Sequence, residues 1–182
     1  MEMQKTEIEG CFIITPKVFE DERGYFFESY NQKKLEELLG VRPNFVQDNE
    51  SLSTKGVLRG LHYQQGEHAQ AKLVRVIEGE VLDVAVDIRP DSKTFGKVVS
   101  TILSSDNRKQ MFIPRGCAHG FLTLSETARF AYKCDNFYNV ASESGIIYND
   151  PTLNIDWMLP EEELIISAKD KELPSFKMTV PN

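Results

Sequence analysis

Lys72–Ile88 reads KLVRVIEGEVLDVAVDI, and the spacing of its apolar residues decides the fold class. Between Glu80 and Ile88, the residues Leu82, Val84, Val86 and Ile88 fall on one face of an extended chain, with Asp83 and Asp87 on the other. That two-residue period belongs to a strand, because successive side chains on extended backbone point to opposite sides. Lys72–Ile77, carrying Leu73, Val74, Val76 and Ile77, reads as a second strand, and Glu78-Gly79 between the two is a hairpin signal. Working outward, strands are predicted over Ile13–Phe19, Tyr25–Ser29, Gly96–Ile102, Gln110–Ile113, Gly120–Leu124 and Ala128–Asp135. One segment has helical spacing. In Asn31–Leu39, Leu35, Leu38 and Leu39 form a stripe, Ser29 or Asn31 offers a cap and Gly40 a stop. Many short strands and little helix describe a mainly β protein, a jelly-roll β-sandwich or barrel with a few short helices.

At 182 residues the chain has the length of one domain, spanning 1–182, and no Gly/Ser linker or repeat divides it. With 41% hydrophobic residues, a chain of this size buries about 70% of its unfolded surface, enough for a core without staples. Twenty-one basic against 28 acidic side chains give a net charge of -7. Such a surface repels phosphate backbones and anionic headgroups, which argues against nucleic acid or a membrane surface as partner. It leaves room for a small anionic ligand held by a local cluster of Arg and Lys. No stretch approaches the roughly 20 apolar residues of a membrane span, and the opening MEMQKTEIEG has no signal-peptide core. Cys11, Cys117 and Cys134 form neither a CxxC pair nor a zinc pattern, and are expected as reduced thiols in a cytoplasmic protein.

Three histidines limit the choice of chemistry. His62 lies in Gly56–Gln64, GVLRGLHYQ, where glycines bracket Leu58-Arg59 and let backbone approach a ligand; strict alternation would place Arg59 and Tyr63 on one face. On its residues alone, His62 is either a half-buried hydrogen-bonded side chain or a base. His119 lies in Pro114–Gly120, PRGCAHG, which resembles the PxGxxH second motif of the cupins, whose histidine often binds a metal. The first cupin motif, with its HxH pair, is missing here: Tyr63-Gln64 follows His62, and His68 sits in a polar loop. A first-row metal usually takes three or more protein ligands, so two histidines without a clear third point to acid/base work and to no metal. Arg59, Lys72 and Arg75, with Arg23 farther off, are basic groups able to line an anion pocket or simply to be solvated. Tyr132, in Phe130-Ala131-Tyr132-Lys133, is a second acid/base candidate or a core aromatic.

Taken in order, these segments resemble one family over nearly the whole chain. The resemblance runs through Gly10–Pro16, Asp21–Glu28 (DERGYFFE), Phe45–Ser51 (FVQDNES) and Gly56–Gln64. It continues through Ala71–Val76, Val81–Phe95, Ile113–Leu124 and Tyr132-Lys133-Cys134, and closes with Asn149-Asp150-Pro151, Ile155-Asp156-Trp157 and Ser167–Asp170. The chain is thereby similar to the 3,5-epimerases acting on dTDP-4-dehydro-6-deoxyglucose. That likeness implies a cupin-like jelly roll working as a homodimer without metal or other cofactor. It also implies roles: His62 as base oriented by Asp170, Tyr132 as acid on the opposite side of the sugar, and Lys72 against the developing enolate oxygen. Arg59 and Gln47 would hold the diphosphate, with His119 and Asn49 nearby, while Tyr138 lines the thymine pocket and Glu143 contacts the nucleotide. Arg23, Phe26 and Glu28, on N-terminal strands exchanged across the dimer, would complete the partner's site. Two departures stand out: Ala71 where glycine is frequent, and Gly145-Ile146-Ile147-Tyr148 in place of Gly-Ile-Arg-Trp, a stretch expected at the nucleotide edge.

The implied chemistry suits these residue types. Inverting a carbon beside a ketone removes a proton from one face and returns one to the other, so two groups must flank the ring. An imidazole with pKa about 6.5 accepts a proton near neutrality, and a phenol of about 10 begins protonated. An ammonium answers the negative charge arising on the carbonyl oxygen. The rival readings are a single-carbon epimerase, a metal-dependent cupin and a cupin that only binds.

Overall fold

The structure, a computed structural model, describes residues 1–179. Its first sheet runs in the order β1 (Glu2–Lys5), β2 (Phe12–Thr15), β10 (Gln110–Ile113), β7 (Lys72–Glu78), β12 (Thr127–Cys134), β5 (Gln47–Thr54). The second runs β13 (Glu143–Gly145), β6 (Val57–Gln64), β11 (Cys117–Thr123), β8 (Glu80–Asp87), β9 (Val98–Ser104), with β14 (Ile165–Ile166) added parallel to β6. A separate hairpin pairs β3 (Val18–Asp21) with β4 (Gly24–Phe27). The helices are short: α1 (Gln32–Leu39), α2 (Ala168–Lys171) and α3 (Phe176–Thr179). This is the mainly β, cupin-like sandwich that the strand spacing and the family likeness anticipate.

The core between the sheets draws Val74, Val76 and Phe130 from the first and Val81, Ala85, Leu103 and Phe121 from the second. Each of the Val, Leu and Phe side chains among these, fully withdrawn from water, contributes about 1.5–3 kcal/mol. A second cluster lies on the outer face of the second sheet, where Leu82, Val84 and Val86 are covered by Ile146, Tyr148, Trp157 and Phe176. A third places Leu35 of α1 against Ile14, Leu73 and Phe112 on the outside of the first sheet. Asn31 caps α1 by accepting from Lys34 N, and Gly40 ends it in the left-handed conformation.

Several expectations need correction. Glu78-Gly79 is no hairpin: β7 and β8 never pair, and the chain crosses there from one sheet to the other. Gly79 permits the crossing, with φ +80° and a virtual Cβ 2.1 Å from Thr127 O. In β8 the period is right but both faces are buried, so Asp83 and Asp87 point into the protein and not to solvent. The strand predicted over Ile13–Phe19 breaks at Pro16, which brings no N–H to a ladder, into β2 and β3. Strand β5, QDNESLST, carries no strand signal in its sequence because neither face is apolar. Its inward face carries Gln47, Asn49, Ser51 and Ser53, which oppose Cys134, Tyr132, Phe130 and Ala128. Ile146 and Tyr148 lie in the outer apolar cluster, so the departure at 145–148 is a matter of packing and not of the cleft.

Candidate active site

A cleft of about 810 Å³ opens between the two sheets at one end of the sandwich. The second sheet supplies Arg59, His62 and Gln64 from β6 and His119 from β11; the first supplies Asn49 from β5, Lys72 from β7 and Tyr132 from β12. Halfway along β6 the alternation fails. Register slips between His119↔His62 and Phe121↔Arg59, so Arg59 and His62 share the cleft while Leu58, Leu61 and Tyr63 pack in the outer cluster. Arg59 and Tyr63 are therefore not a facing pair. Gly60 makes the slip possible: at φ +128°, a Cβ would sit 2.5 Å from Gly120 Cα and 2.8 Å from His119 O.

His62 is held from behind. Its Nε2 lies 2.7 Å from Asp170 Oδ1, and the side chain of Asp170 is only 6% exposed. Asp170 Oδ2 accepts from Gly60 N at 3.3 Å, and Ser167 Oγ accepts from Asp170 N at 3.1 Å, which fixes the first turn of α2. Burial raises the Asp170 carboxyl, but the bonds from His62, Gly60 N and Ser167 outweigh it and hold the group below the usual range. The carboxylate accepts, so Nε2 carries the hydrogen and the lone pair of neutral His62 is on Nδ1.

Opposite, Tyr132 packs beside Phe130, and burial pushes its phenol up, so it stays protonated near neutrality. Lys72 reaches over the Tyr132 ring at 5.8 Å. Burial lowers its ammonium, against which the carboxylates of Asp83 and Glu143 act. Arg59 Nε donates to Ser53 Oγ at 3.1 Å, and Gln47 Nε2 donates to Asn49 Oδ1 at 3.1 Å. At the rim, the Tyr138 hydroxyl donates to Glu143 Oε2 at 2.8 Å, and Lys169 Nζ donates to the same oxygen at 2.6 Å.

The ten expected residues His62, Tyr132, Asp170, Lys72, Gln47, Asn49, Arg59, His119, Tyr138 and Glu143 thus meet at one cleft. Arg23, Phe26 and Glu28 do not line it. Arg23 pairs with Asp21 on the β3–β4 hairpin, Phe26 is 66% exposed, and Glu28 binds Lys34. Arg75, expected in the same basic cluster, points to the outer face of the first sheet beside Leu73 and Lys133. Sequence reasoning missed Lys169 and Asp83. Lys169 sits next to Asp170 in a helix of four residues without a periodic signal, and Asp83 reads as the solvent side of an amphipathic strand. Among the described residues, no group of three or more His, Cys, Asp or Glu is placed to hold a metal ion, and no helix is long and apolar enough to cross a membrane. Cys11, Cys117 and Cys134 are free and buried.

Comparison with known proteins points one way. Residues 5–178 match a family model described as dTDP-4-dehydrorhamnose 3,5-epimerase. An enzyme of that name from Salmonella typhimurium is 56% identical over 173 residues, covering 93% of this chain and 92% of the relative. The crystal structure of the dTDP-4-dehydrorhamnose 3,5-epimerase from Elizabethkingia anophelis superposes with a TM-score of 0.96 at 57% identity, covering 100% of this chain and 99% of the other. A dTDP-6-deoxy-D-glucose-3,5-epimerase from Legionella pneumophila, solved in complex with dTDP-4-keto-L-rhamnose, gives 0.93 at 52% identity, covering 98% and 94%.

Proposed function

The chain belongs to the dTDP-4-dehydrorhamnose 3,5-epimerase family, and we propose that its cleft inverts carbons 3 and 5 of dTDP-4-dehydro-6-deoxy-D-glucose, giving dTDP-4-dehydro-L-rhamnose. It is a carbohydrate epimerase, an isomerase. The observation that carries the residue roles is one imidazole–carboxylate pair entering the cleft from the second sheet while a buried phenol enters from the first.

His62 Nδ1 takes the proton from the carbon next to the 4-keto group, and the bond pair moves into an enolate. Asp170 keeps Nε2–H directed at itself and stabilises the imidazolium that forms. Lys72 answers the charge on the enolate oxygen with its ammonium. Tyr132 then gives its phenolic proton to the opposite face of the same carbon, completing one inversion. Before the second carbon reacts, the imidazolium releases its proton to solvent and the phenolate takes one back, so the repeated cycle needs no oxidant or reductant. Arg59 and Gln47 hold the diphosphate, with His119 and Asn49 nearby, and clamping of that anion sets the sugar between base and acid. Tyr138 and Glu143 receive the nucleotide at the rim.

The β3–β4 hairpin fits a homodimer. Tyr25, Phe26 and Phe19 are largely exposed on it, and Arg23 lies at its tip, away from this chain's own cleft. We propose that Arg23, Phe26 and Glu28 complete the partner's nucleotide site. Three buried free thiols suit the reducing cytoplasm.

Incubating the protein with the 4-keto sugar nucleotide in deuterated water tests the reading. Deuterium is expected on carbons 3 and 5 by NMR; unlabelled ligand after long incubation would overturn it in favour of a module that only binds.

A further inference from the structure

The β3–β4 hairpin pairs with neither sheet, yet with Glu28 just after it this arm carries the three residues assigned to the partner's nucleotide site. Two short strands are marginal in water unless something else holds them. The root is secured: Gln110, fully buried, donates Nε2–H to Ser29 O at 2.8 Å, just beyond β4. Farther out, Arg23 with Asp21, Lys17 over Phe19 and Tyr25 on Phe27 are contacts the hairpin makes with its own stretch of chain. Arg108 reaches it from the body of the protein, out of the loop between β9 and β10. Its guanidinium lies 4.2 Å from the centroid of the Tyr25 ring, and its Nη1 lies 3.3 Å from Glu20 Oε1. Glu20 and Tyr25 face each other across the hairpin. One side chain therefore grips both strands at a single rung, next to the turn that bears Arg23.

Locally, arginine is a poor choice at 108. At φ +54° it occupies the left-handed region that favours glycine, and its Nε–H is buried without an acceptor among the described residues. An ion pair to an exposed carboxylate and a single cation–π contact each return little stability. Nor does Arg108 line its own chain's cleft. What the side chain supplies, and glycine would not, is a fixed direction for the hairpin. We propose that Arg108 is a positioning residue for nucleotide binding across the dimer: it sets the hairpin so that Arg23, Phe26 and Glu28 meet the partner's cleft already in place. This rests on the reading of the hairpin as an arm that completes the partner's site. A pre-set arm avoids the ordering cost that a loose one incurs when the nucleotide arrives.

Arg108→Gly in the full-length protein is the test, because glycine suits φ +54° and the fold should survive. Circular dichroism checks the fold and sedimentation velocity the dimer. With both proteins dimeric, the variant is expected to raise KM for the sugar nucleotide and the Kd of dTDP about fivefold, with kcat within about twofold. Arg108→Lys keeps a cation between Tyr25 and Glu20 and should recover part of the loss; no recovery would place the effect in the loop and overturn the grip. Wild-type KM and dTDP affinity in dimeric Arg108→Gly would overturn the proposal, and so would a fall in kcat at unchanged KM. Dissociation of the variant would overturn it in favour of a contact that merely holds the subunits together. Should the glycine variant fail to fold, Glu20→Ala, on an exposed side chain, decides instead. KM raised about twofold or more would support the grip, and unchanged KM would overturn it. A wild type that sediments as a monomer would overturn the dimer reading itself, a failure that sedimentation tells apart from any kinetic one.

Discussion

His62 Nε2 and Asp170 Oδ1 stand 2.7 Å apart although 108 residues separate them in the chain. The contact joins a strand of the second sheet to the short C-terminal helix α2, and Gly60 N–H ties the same carboxylate to the strand a second time. Asp170→Asn keeps the shape but allows the amide to present N–H, which favours the wrong imidazole tautomer. A fall in kcat of roughly 10²–10⁴ is expected, with KM little changed. Steady-state kinetics decide it: kcat within twofold of wild type would remove Asp170 from the mechanism.

His62→Asn should end deuterium incorporation at both carbons while leaving dTDP affinity within a few fold, because the nucleotide is held by other side chains. Isothermal titration beside NMR exchange reads the two effects separately. Label appearing at either carbon at the wild-type rate would show that another group is the base.

Tyr132→Phe removes one hydroxyl from a ring that still packs beside Phe130. Proton removal should continue, and the doubly inverted product should fall by about 10²-fold or more, the share typical of a positioned acid. Product analysis by NMR, at matched substrate conversion, is the measurement. Normal yield of doubly inverted sugar would deny the phenol its role.

Asp87 offers a prediction about pH and stability. Its side chain is fully buried and accepts from Arg89 Nε at 2.8 Å, Ser92 Oγ at 2.6 Å and Thr94 Oγ1 at 2.7 Å. Burial raises the carboxyl, but these bonds outweigh it and bring it from 3.8 to about 2. A carboxyl depressed on folding stabilises the protein above its unfolded value and loses that contribution as pH falls through its folded value. Asp87→Asn should therefore cost about 2 kcal/mol at pH 7, and the gap to wild type should close as pH drops from 3.8 toward 2. Urea unfolding at pH 7 and near pH 3 measures it; a constant difference would contradict the assignment.

Gly60→Ala pushes a methyl group into the backbone of Gly120 and His119 at a φ that side chains avoid. A loss of stability on the order of 3 kcal/mol is expected, together with lost activity, since the same backbone aims Arg59 and His62. Thermal unfolding of a fully active variant at the wild-type midpoint would refute this.

Much of this was legible beforehand, for reasons that differ by residue. The alternation in Val81–Ile88 declares a strand because a buried face demands it, and Asn31 and Gly40 bound α1 by simple capping chemistry. Partnering was not legible. Gly79 looks the same at a hairpin and at a crossing between sheets, since both need a left-handed residue. Strand β5 escaped notice because it faces a cleft, where inward residues are polar and leave no apolar trace. The reversal of side-chain direction at Gly60 depends on Gly120 in another strand, so no local pattern announces it. Tyr132 is an acid/base candidate or a core aromatic on its own residues, Asp170 comes only through family likeness, and their meeting with His62 at one cleft is a product of the fold.

The crossing at Gly79 has a further consequence for how the enzyme fails. Neighbouring segments of the chain are dealt to opposite walls, so the base on β6 and the phenol on β12 share no ladder of hydrogen bonds. Neither wall alone carries a working half of the catalyst, and turnover should vanish at the first parting of the sandwich. Loss of epimerisation would then precede loss of β-structure on heating, making the reaction itself a sensitive gauge of closure.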